Sequence, residues 1–405
     1  MYAAQPLLRR KLRRRGAQEP GYLEHVEERF GQYQEPAQPG GLWIHAVSLG
    51  ETRAAAILVD ALRRADPALR LLLTHGTATG RAEGKRLLRD GDVQAWLPLD
   101  TPRAVAGFLS HFQPRAGILM ETEVWPNLAA ACNERDVPLV LANARLSDKS
   151  LHQARRLSRL SRPAYGALRG AWAQTEGDAR RLAEAGATVK GVYGNLKYDA
   201  TPDPEQLRKG RDWRSASTKP VVMFASSREG EETEFLRAIA QHPGVQWLLV
   251  PRHPQRFDEV AALVAQSGMS VARRSTWKGA PPPADVWLGD SLGEMALYYA
   301  MADVALLGGS YAQLGGQNLI EAAACGCPVV MGPHTFNFSE AAELAQEAGA
   351  ALRVGSMEEG VRVAVELARD ASARSAAAQA GERFAAAHRG AAAKTAEAVL
   401  ALLGR

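Results

Sequence analysis

The sequence has few cysteines and no long apolar segment. Its three cysteines are Cys132, Cys325 and Cys327, and the last two are separated by a single glycine with no histidine cluster nearby. This pattern favours small apolar core residues over a metal site, and it suits a reducing compartment. No stretch approaches the roughly 18 consecutive apolar residues of a membrane-spanning helix. The apolar core of a secretory signal is also missing, so we expect a cytoplasmic location.

Several motifs of nucleotide and metal chemistry are also missing. The chain contains neither a G-x-x-x-x-G-K-[ST] loop nor a G-x-G-x-x-G turn coupled to a strand, which disfavours ATPases and dinucleotide-binding enzymes. No H-x-x-H or D-x-D arrangement with metal-ligand spacing accompanies the acidic residues Glu51, Glu121 and Glu123. We therefore expect no bound metal and no cofactor.

Acidic residues are missing from the first 15 positions. Six bases there give a charge of +6, and since the whole chain carries +5, the remainder sums to −1. The protein thus has a basic arm rather than a generally basic surface, and no aromatic-basic motif accompanies it, which argues against nucleic-acid binding. With Tyr2, Leu7, Leu8 and Leu12, the arm could form a short helix on an anionic membrane surface. A solvated, disordered arm is the alternative.

Short apolar runs alternate with helical patterns along most of the chain. Such repetition predicts parallel, doubly wound sheets with helices on both faces. A polar stretch with Pro202 and Pro204 interrupts the pattern, which then restarts. We therefore predict two α/β domains with a ligand cleft between them. The predicted divisions are a basic arm and short helix (1–30), a first domain (31–198), a linker (199–213) and a second domain that includes the C-terminal helices (214–405).

Acidic side chains follow two predicted strands of the first domain. Glu51 comes after the strand 42–46 and the turn Ser48-Leu49-Gly50, at the start of an Ala-rich helix. A carboxylate there either complements the helix dipole or acts as a general base. Glu121 and Glu123 follow another strand, and carboxylates at the carboxyl ends of parallel strands face the ligand-binding edge of the sheet. Together the three could activate a hydroxyl group or bind cations.

A basic segment lies between Lys149 and Gln174, which contains no acid. We predict one helical region from Ser147 to about Gly170, with Arg155, Arg159 and Arg162 on one face. That face could meet a phosphorylated or membrane-borne acceptor, or it could be an ordinary solvated surface.

Two glycine pairs follow strands of the second domain. Gly308-Gly309-Ser310 and Gly315-Gly316 should leave backbone N–H groups free at the start of a helix, which suits a phosphate, although glycines also serve ordinary turns. Arg252 and His253 follow another strand, where a guanidinium could pair with a phosphate or form a structural ion pair.

Asn318 and Glu321 are three residues apart on the helix that follows the glycines, so both should face the same way. A carboxylate there could accept hydrogen bonds from two ribose hydroxyls, or both residues could belong to a solvated helix face.

Several of these segments together resemble one family, the 3-deoxy-D-manno-octulosonic acid (Kdo) transferases of lipopolysaccharide synthesis. The segments that carry the resemblance are residues 43–51 (WIHAVSLGE), 97–100 (LPLD), 121–127 (ETEVWPN), 143–147 (NARLS), 194–199 (GNLKYD), 251–254 (PRHP), 289–294 (GDSLGE) and 308–310 (GGS). They cover nearly the whole chain in order. The resemblance implies a GT-B glycosyltransferase fold of two facing Rossmann-like domains, in which the first binds the acceptor and the second binds CMP-Kdo.

The resemblance and the residue patterns together predict the site residues. Glu51 is expected to be the catalytic base, kept ionised by the helix N-terminus. The residues expected to bind the acceptor are Ser48, Gly50, Glu121, Glu123, Arg155 and Arg159. The residues expected to bind the donor are Ser226, Arg252, His253, Gly293, Glu294, Met295, Gly309, Ser310, Gln317, Asn318 and Glu321.

The implied reaction is transfer of Kdo from CMP-Kdo to a lipid A precursor, with inversion, by a peripheral protein at the cytoplasmic face of the inner membrane. The chain departs from the family in three places. Many relatives begin with a hydrophobic segment where this one has the basic arm. Many have Ser-Thr-His before Gly-Glu-Glu where this one has Ser226-Ser227-Arg228-Glu229, and many have histidine at the position of Gln317. A GT-B enzyme that uses a UDP-sugar, a sugar-nucleotide epimerase of the same fold and a silent nucleotide-binding protein remain as alternatives.

Overall fold

The computed structural model describes residues 5–34, 36 and 38–404, and it divides them into two α/β units. One unit comprises the described residues up to Asp199 together with those from Arg389 onward, and the other is Ala200–His388. Within the described part of the chain, no helix combines the length and apolarity needed to span a membrane.

The first unit is built on a parallel sheet of seven strands in the order β3-β2-β1-β4-β5-β6-β7. Its strands are β1 (Leu42–His45), β2 (Leu71–His75), β3 (Val93–Trp96), β4 (Ala116–Met120), β5 (Leu139–Ala144), β6 (Gly170–Ala173) and β7 (Val189–Val192). Its helices up to Asp199 are α1 (Gln5–Gly16), α2 (Leu49–Ala65), α3 (Ala78–Lys85), α4 (Pro102–Phe112), α5 (Pro126–Glu134), α6 (Asp148–Arg156), α7 (Ser158–Gly166) and α8 (Glu176–Ala185).

The central strand β1 shows why this sheet is covered on both faces. All four of its residues are buried, as expected for a central parallel strand. Because side chains alternate along a strand, Ile44 packs into one core with Leu58 of α2, and Trp43 packs into the other with Phe108 of α4.

The second unit repeats this architecture with seven parallel strands in the order β10-β11-β9-β8-β12-β13-β14. Its strands are β8 (Val221–Ser227), β9 (Gln246–Pro251), β10 (Val271–Arg273), β11 (Val286–Leu288), β12 (Val304–Leu307), β13 (Val329–Met331) and β14 (Ala351–Arg353). Its helices are α9 (Pro204–Ser215), α10 (Glu231–Ile239), α11 (Phe257–Gln266), α12 (Met295–Met301), α13 (Leu319–Ala324), α14 (Ser339–Glu347), α15 (Met357–Arg369) and α16 (Ala371–Ala387). The prediction of two parallel-sheet α/β domains is confirmed.

Most of the predicted linker 199–213 is helical. Asp203 caps α9 by accepting hydrogen bonds from the N–H groups of Glu205 (2.8 Å) and Gln206 (3.2 Å), and Pro204 occupies the first helical position. Proline is favoured there because its fixed φ suits a helix start and its missing N–H would have had no helical partner. The second proline therefore starts a helix of the second unit instead of continuing a linker.

The last helix, α17 (Ala391–Leu402), belongs to the first unit, so its predicted place in the second domain is wrong. Ala392 and Val399 are buried in the same core as Ile44. The Asp199 carboxylate accepts hydrogen bonds from the N–H groups of Gly390 (2.5 Å) and Ala392 (2.6 Å), which fixes the start of the helix. An alanine-rich helical pattern does not specify which of two cores it completes.

The basic arm folds as helix α1 from Gln5 onward, and Tyr2 lies outside the described residues. Arg9 pairs with Glu27, with N–O distances of 2.6 and 2.8 Å, and stacks over Phe30 at 4.2 Å from the ring centre. Leu8 and Leu12 are half-buried, whereas Leu7 is 67% exposed. Residues 5–16 are therefore an ordered helix packed on the first unit, and two of its three leucines contact the protein.

Candidate active site

Glu51 lies at the start of α2, directly after the turn that ends β1. Ser48 caps the helix, since its Oγ accepts from the Glu51 N–H at 3.4 Å and donates to Glu51 Oε1 at 3.2 Å. The other carboxylate oxygen, Oε2, accepts from the N–H of Val47 at 2.9 Å. This arrangement resembles a capping box, except that the carboxylate accepts from the N–H of Val47 instead of that of the N-cap residue Ser48. Glu51 thus stabilises the start of α2 as well as occupying the predicted catalytic position.

Burial raises the pKa of Glu51 to about 7, and the negative charges of Glu121 and Glu123 act in the same direction. The hydrogen bonds from Val47 and Ser48 stabilise the carboxylate and oppose this rise. Glu51 is therefore only partly ionised at neutral pH, less than predicted from its place at the helix start, because the effect of burial outweighs that of these hydrogen bonds. A carboxyl group that titrates near pH 7 is well matched to proton abstraction.

Glu121 and Glu123 lie beyond β4, as predicted, but their environments differ. Glu121 is 6% exposed and adopts the left-handed conformation at φ 59°. Its carboxylate pairs with Lys197 Nζ at 3.3 Å and Arg145 Nε at 3.4 Å. Burial raises the pKa of Glu123, opposed by a hydrogen bond from Trp125. Glu121 is thus paired with two cations, neither of which was among the predicted site residues.

The predicted continuous basic helix is wrong. It is divided at Leu157 (φ −105°, ψ 29°), which ends α6 and precedes α7. The Ser161 hydroxyl donates to the Ala154 carbonyl at 2.7 Å, so a side chain stabilises the end of α6 in place of a backbone N–H. Arg155 pairs with Glu184 on the surface (Nε–Oε1 2.6 Å), and Arg159 is exposed on α7. The two arginines therefore do not share a helix.

In the second unit, the glycine turn after β12 already holds a carboxylate. Glu231, 2% exposed, accepts hydrogen bonds from the N–H groups of Gly309 (2.8 Å), Tyr311 (3.1 Å), Ala312 (3.2 Å) and Arg228 (3.0 Å). The N–H of Gly308 donates to Ala225, and that of Gly316 donates to Gly309. The N–H of Gly309 is therefore occupied by an internal anion, and those of Gly308 and Gly316 by backbone carbonyls, so these three groups are not free for a phosphate as predicted.

The hydroxyl group of Ser310 is also used in hydrogen bonds within the protein. Its side chain is fully buried, donates to the Leu307 carbonyl at 2.5 Å and accepts from the Gly332 N–H at 2.8 Å. The predicted donor contacts through the Gly309 N–H and the Ser310 hydroxyl are therefore not supported. Sequence reasoning missed Glu231, although an acidic pair directly after a strand and a Gly turn was a visible signal.

Cationic groups gather where β8 and β9 end. Arg228, Arg252 and Arg256 all lower the pKa of His253, after the larger effect of its burial. Arg256 is held by Glu232, with Nη1 2.7 Å from Oε1, and Ser226 sits at a bulge of β8 with φ 57°. The structure thus brings together the predicted residues Ser226, Arg252 and His253.

Asn318 and Glu321 face each other as predicted. Asn318 caps α13 by accepting from the Ile320 N–H at 3.1 Å, and its Nδ2 donates to Glu321 Oε1 at 3.2 Å. Gln317 lies over the glycine turn, because a Cβ atom added to Gly309 would be 3.1 Å from its Nε2.

Gly293, Glu294 and Met295 form the turn before α12 and its first residue. Glu294 pairs with Arg274 (Oε1–Nη2 2.7 Å), and the Gly293 carbonyl accepts from Gln206 at 2.9 Å. Within residues 5–34, 36 and 38–404, no three His, Cys, Asp or Glu side chains are grouped as metal ligands. Cys325 and Cys327 are buried, as expected for core residues.

Comparison with known proteins identifies the family. Residues 24–200 match the family described as 3-deoxy-D-manno-octulosonic-acid transferase (kdotransferase). The 3-deoxy-D-manno-octulosonic acid transferase of Bordetella pertussis is 48% identical over 98% of this chain and 95% of its own length. The enzyme of the same name from Haemophilus influenzae is 36% identical over 86% and 84%.

A solved structure shows the wider fold. The UDP-GlcNAc 2-epimerase from Neisseria meningitidis superposes with a TM-score of 0.57 at 14% identity, covering 90% of this chain and 99% of that one. This likeness concerns the fold alone and agrees with the predicted GT-B class. The extent and level of identity with the two transferases show that the chain belongs to the 3-deoxy-D-manno-octulosonic acid transferase family and is a glycosyltransferase.

Proposed function

We propose that the protein transfers Kdo from CMP-Kdo to a lipid A precursor with inversion at the anomeric carbon, and that Glu51 is the general base. The observation that carries the proposal is the state of Glu51, which is held by Ser48 and Val47 and has a pKa of about 7. A base with this pKa is deprotonated in a large fraction of molecules at neutral pH and still accepts a proton effectively.

In the proposed reaction, Glu51 takes the proton from a sugar hydroxyl of the acceptor as that oxygen bonds to the anomeric carbon of Kdo. The bond between this carbon and the phosphate oxygen of CMP breaks at the same time, and CMP leaves with the electron pair. Attack on the face opposite to the leaving group inverts the carbon, as in inverting glycosidases.

The developing charge on CMP is proposed to be met by cations, because Glu231 occupies the N–H of Gly309 and backbone carbonyls occupy those of Gly308 and Gly316. Arg252 and Arg228 beside His253 are the proposed partners of the phosphate, since guanidinium groups bind phosphates bidentately. Asn318 and Glu321 are proposed to bind the ribose hydroxyls. The proposal includes no metal ion and no cofactor.

In the decisive assay, the protein is incubated with CMP-Kdo and tetraacylated lipid A precursor, with and without EDTA. The products are then identified by mass spectrometry. We expect Glu51→Gln to lose transfer by roughly two or more orders of magnitude while it retains CMP binding. The matched control is Glu358→Gln, the same change at an exposed position in the first turn of α15, which should keep full activity.

Other outcomes would reject the proposal or indicate a different function. Near-full turnover by Glu51→Gln would reject Glu51 as the base. Stronger competition by UDP than by CMP would indicate a UDP-sugar donor, and conversion of a sugar nucleotide without acceptor would indicate an epimerase. Binding of CMP without any product would indicate a silent nucleotide-binding protein.

We also propose that the outer face of α1 places the protein at the anionic cytoplasmic surface of the inner membrane. This face presents the exposed residues Leu7, Arg10 and Arg14. A basic helix face with an apolar residue binds anionic headgroups. Sedimentation with phosphatidylglycerol vesicles should exceed that with phosphatidylcholine vesicles, and Arg10→Gln/Arg14→Gln should reduce the difference. Equal sedimentation with both lipids would contradict the proposal.

A further inference from the structure

The first unit contains a cavity of about 310 Å³ beneath the inner face of α1. Much of the rest of its wall comes from residues that follow neighbouring strands: Val47 after β1, Gly76 after β2, residues 97–100 after β3, and Glu123 after β4. This volume is at the lower end of the range of small-molecule sites. Glu123 connects the cavity to the group of carboxylates that includes Glu51.

Three cations line this cavity: Lys11, Arg15 and Arg29. In the part of the chain that the structure describes, none of them forms an ion pair with a carboxylate. Arg29 is 8% exposed and stacks on Trp96, with its guanidinium 3.7 Å from the ring centre. Burial lowers the pKa of Arg29 to about 10, and the charges of Arg81 and Arg15 act in the same direction. Cations gathered in this way repel one another, and an anion bound among them would relieve that repulsion.

The acidic residues of the wall do not neutralise these cations. Asp100 is engaged with the start of α5, where its two oxygens accept from the N–H groups of Leu128 (2.8 Å) and Asn127 (3.1 Å). Glu123 is the other acidic residue of the wall, which therefore holds three cationic and two acidic side chains. The cavity therefore keeps a net positive character.

An apolar strip lies beside the cationic one on α1. Leu8 and Leu12 are one helical turn apart and line the cavity, as do Lys11 and Arg15 on the adjacent strip. Leu97 and Trp125 add apolar surface from the loops, and Trp125 is 38% exposed. The wall thus combines groups that bind a phosphate with groups that bind a hydrocarbon chain.

His45 supplies a further polar atom to this wall. Its ring is 1% exposed, and Nδ1 lies 2.9 Å from Thr74 Oγ1, which also accepts from Trp43 Nε1 at 2.7 Å. The ring is therefore fixed in orientation, and its Nε2 has no hydrogen-bond partner among the residues described. A buried polar atom without a partner is costly, so a ligand oxygen at Nε2 would be favoured.

We propose that this cavity binds a phosphate monoester carried on an apolar chain. Lys11, Arg15 and Arg29 surround the phosphate, His45 hydrogen-bonds an oxygen of the ligand, and Leu8 and Leu12 contact the chain. Resting on the function proposed above, this cavity is the subsite for a phosphorylated, acylated part of the acceptor. Helix α1 is then part of the acceptor site as well as a surface element.

The probe for this site is octyl phosphate, titrated calorimetrically into the full-length protein below the concentration at which it forms micelles. Inorganic phosphate and octyl glucoside separate the contributions of the anion and the chain, and each should bind at least about tenfold more weakly than octyl phosphate. Lys11→Gln/Arg15→Gln should weaken octyl phosphate binding about tenfold.

The matched control is Lys85→Gln/Arg89→Gln, which removes one lysine and one arginine, also four residues apart, from exposed positions of the first unit outside the cavity. Its affinity for octyl phosphate should change by less than about twofold, since the remaining effect is screened long-range attraction. An equal loss in both double variants would overturn the proposal, as would tight binding of inorganic phosphate alone or no binding of octyl phosphate to the wild type.

The outcome of this binding experiment is independent of the outcome of the transfer assay. If the wild type transfers Kdo but does not bind octyl phosphate, the cavity is not the subsite and the transferase assignment stands. If octyl phosphate binds with the expected pattern but no transfer occurs, the cavity proposal stands and the proposed function is rejected.

Discussion

At the scale of single residues, Glu51 combines the tasks of helix cap and proposed base. Its position could be predicted, because Ser48-Leu49-Gly50-Glu51 after an apolar run marks a strand end and a helix start. Its pKa could not, because the shift to about 7 comes mainly from burial by segments that are distant in the sequence. The same limit applies to Glu121, whose partner Lys197 is 76 positions away.

The raised pKa predicts the pH dependence of transfer. Because the deprotonated form of Glu51 is the base, kcat/KM should rise with pH through about 7 and then level off. The Ser48 hydroxyl lowers the pKa of Glu51, so Ser48→Ala should move the midpoint to higher pH. Initial rates between pH 5.5 and 9 test both statements. A profile without a rise near neutrality would contradict the pKa assignment.

At the scale of elements, buried carboxylates on α10 hold together the loops of the second unit. Glu231 connects the start of α10 to the turn after β12, and Glu232 connects Ser227 of β8 (2.8 Å) to Arg256. The glycines of that turn were predicted to leave N–H groups free for a phosphate, but a carboxylate from the start of α10 accepts from the Gly309 N–H. Motif spacing along one segment could not show this pairing.

Glu231→Gln should weaken the donor site more than the catalytic step. An amide has one accepting oxygen, so some of the four N–H groups would lose their acceptor, at a cost of about 1–3 kcal/mol each. We expect the KM for CMP-Kdo to rise about tenfold, with a smaller change in kcat.

The control for this variant is Glu234→Gln, the same change on the exposed side of α10, which should behave as the wild type. An unchanged KM in Glu231→Gln would show that the turn keeps its shape without the carboxylate.

At the scale of the whole molecule, the alternation of strands and helices was enough to predict two parallel sheets. The division of the chain between the units was not, because a helix such as α17 has an apolar face that fits either core. The deciding contacts are specific ones, namely Asp199 at the start of α17 and the Leu403 carbonyl, which accepts from Arg115 at 2.6 Å.

Asp199→Ala should weaken the packing of α17 on the rest of the first unit. The change removes the acceptor of two N–H groups and should lower the free energy of unfolding by about 1–3 kcal/mol. Limited proteolysis should then cut near Gly390 faster than in the wild type, whereas Asp212→Ala, a change at an exposed position of α9, should leave the rate unchanged. Equal cleavage rates would show that the apolar contacts alone hold the helix.

Helix α17 follows the second unit in the sequence but belongs to the first unit. This affects the order in which the protein can fold during synthesis. The second unit is one continuous segment, Ala200–His388, and all of its core residues have been made before α17. The first unit begins earlier on the ribosome but needs Ala392 and Val399 to complete its core. Although domains usually fold from the N-terminus as they emerge, here the part that is made first is completed last. Until then, the surface of α2 on which α17 packs is exposed to chaperones and to misfolding partners.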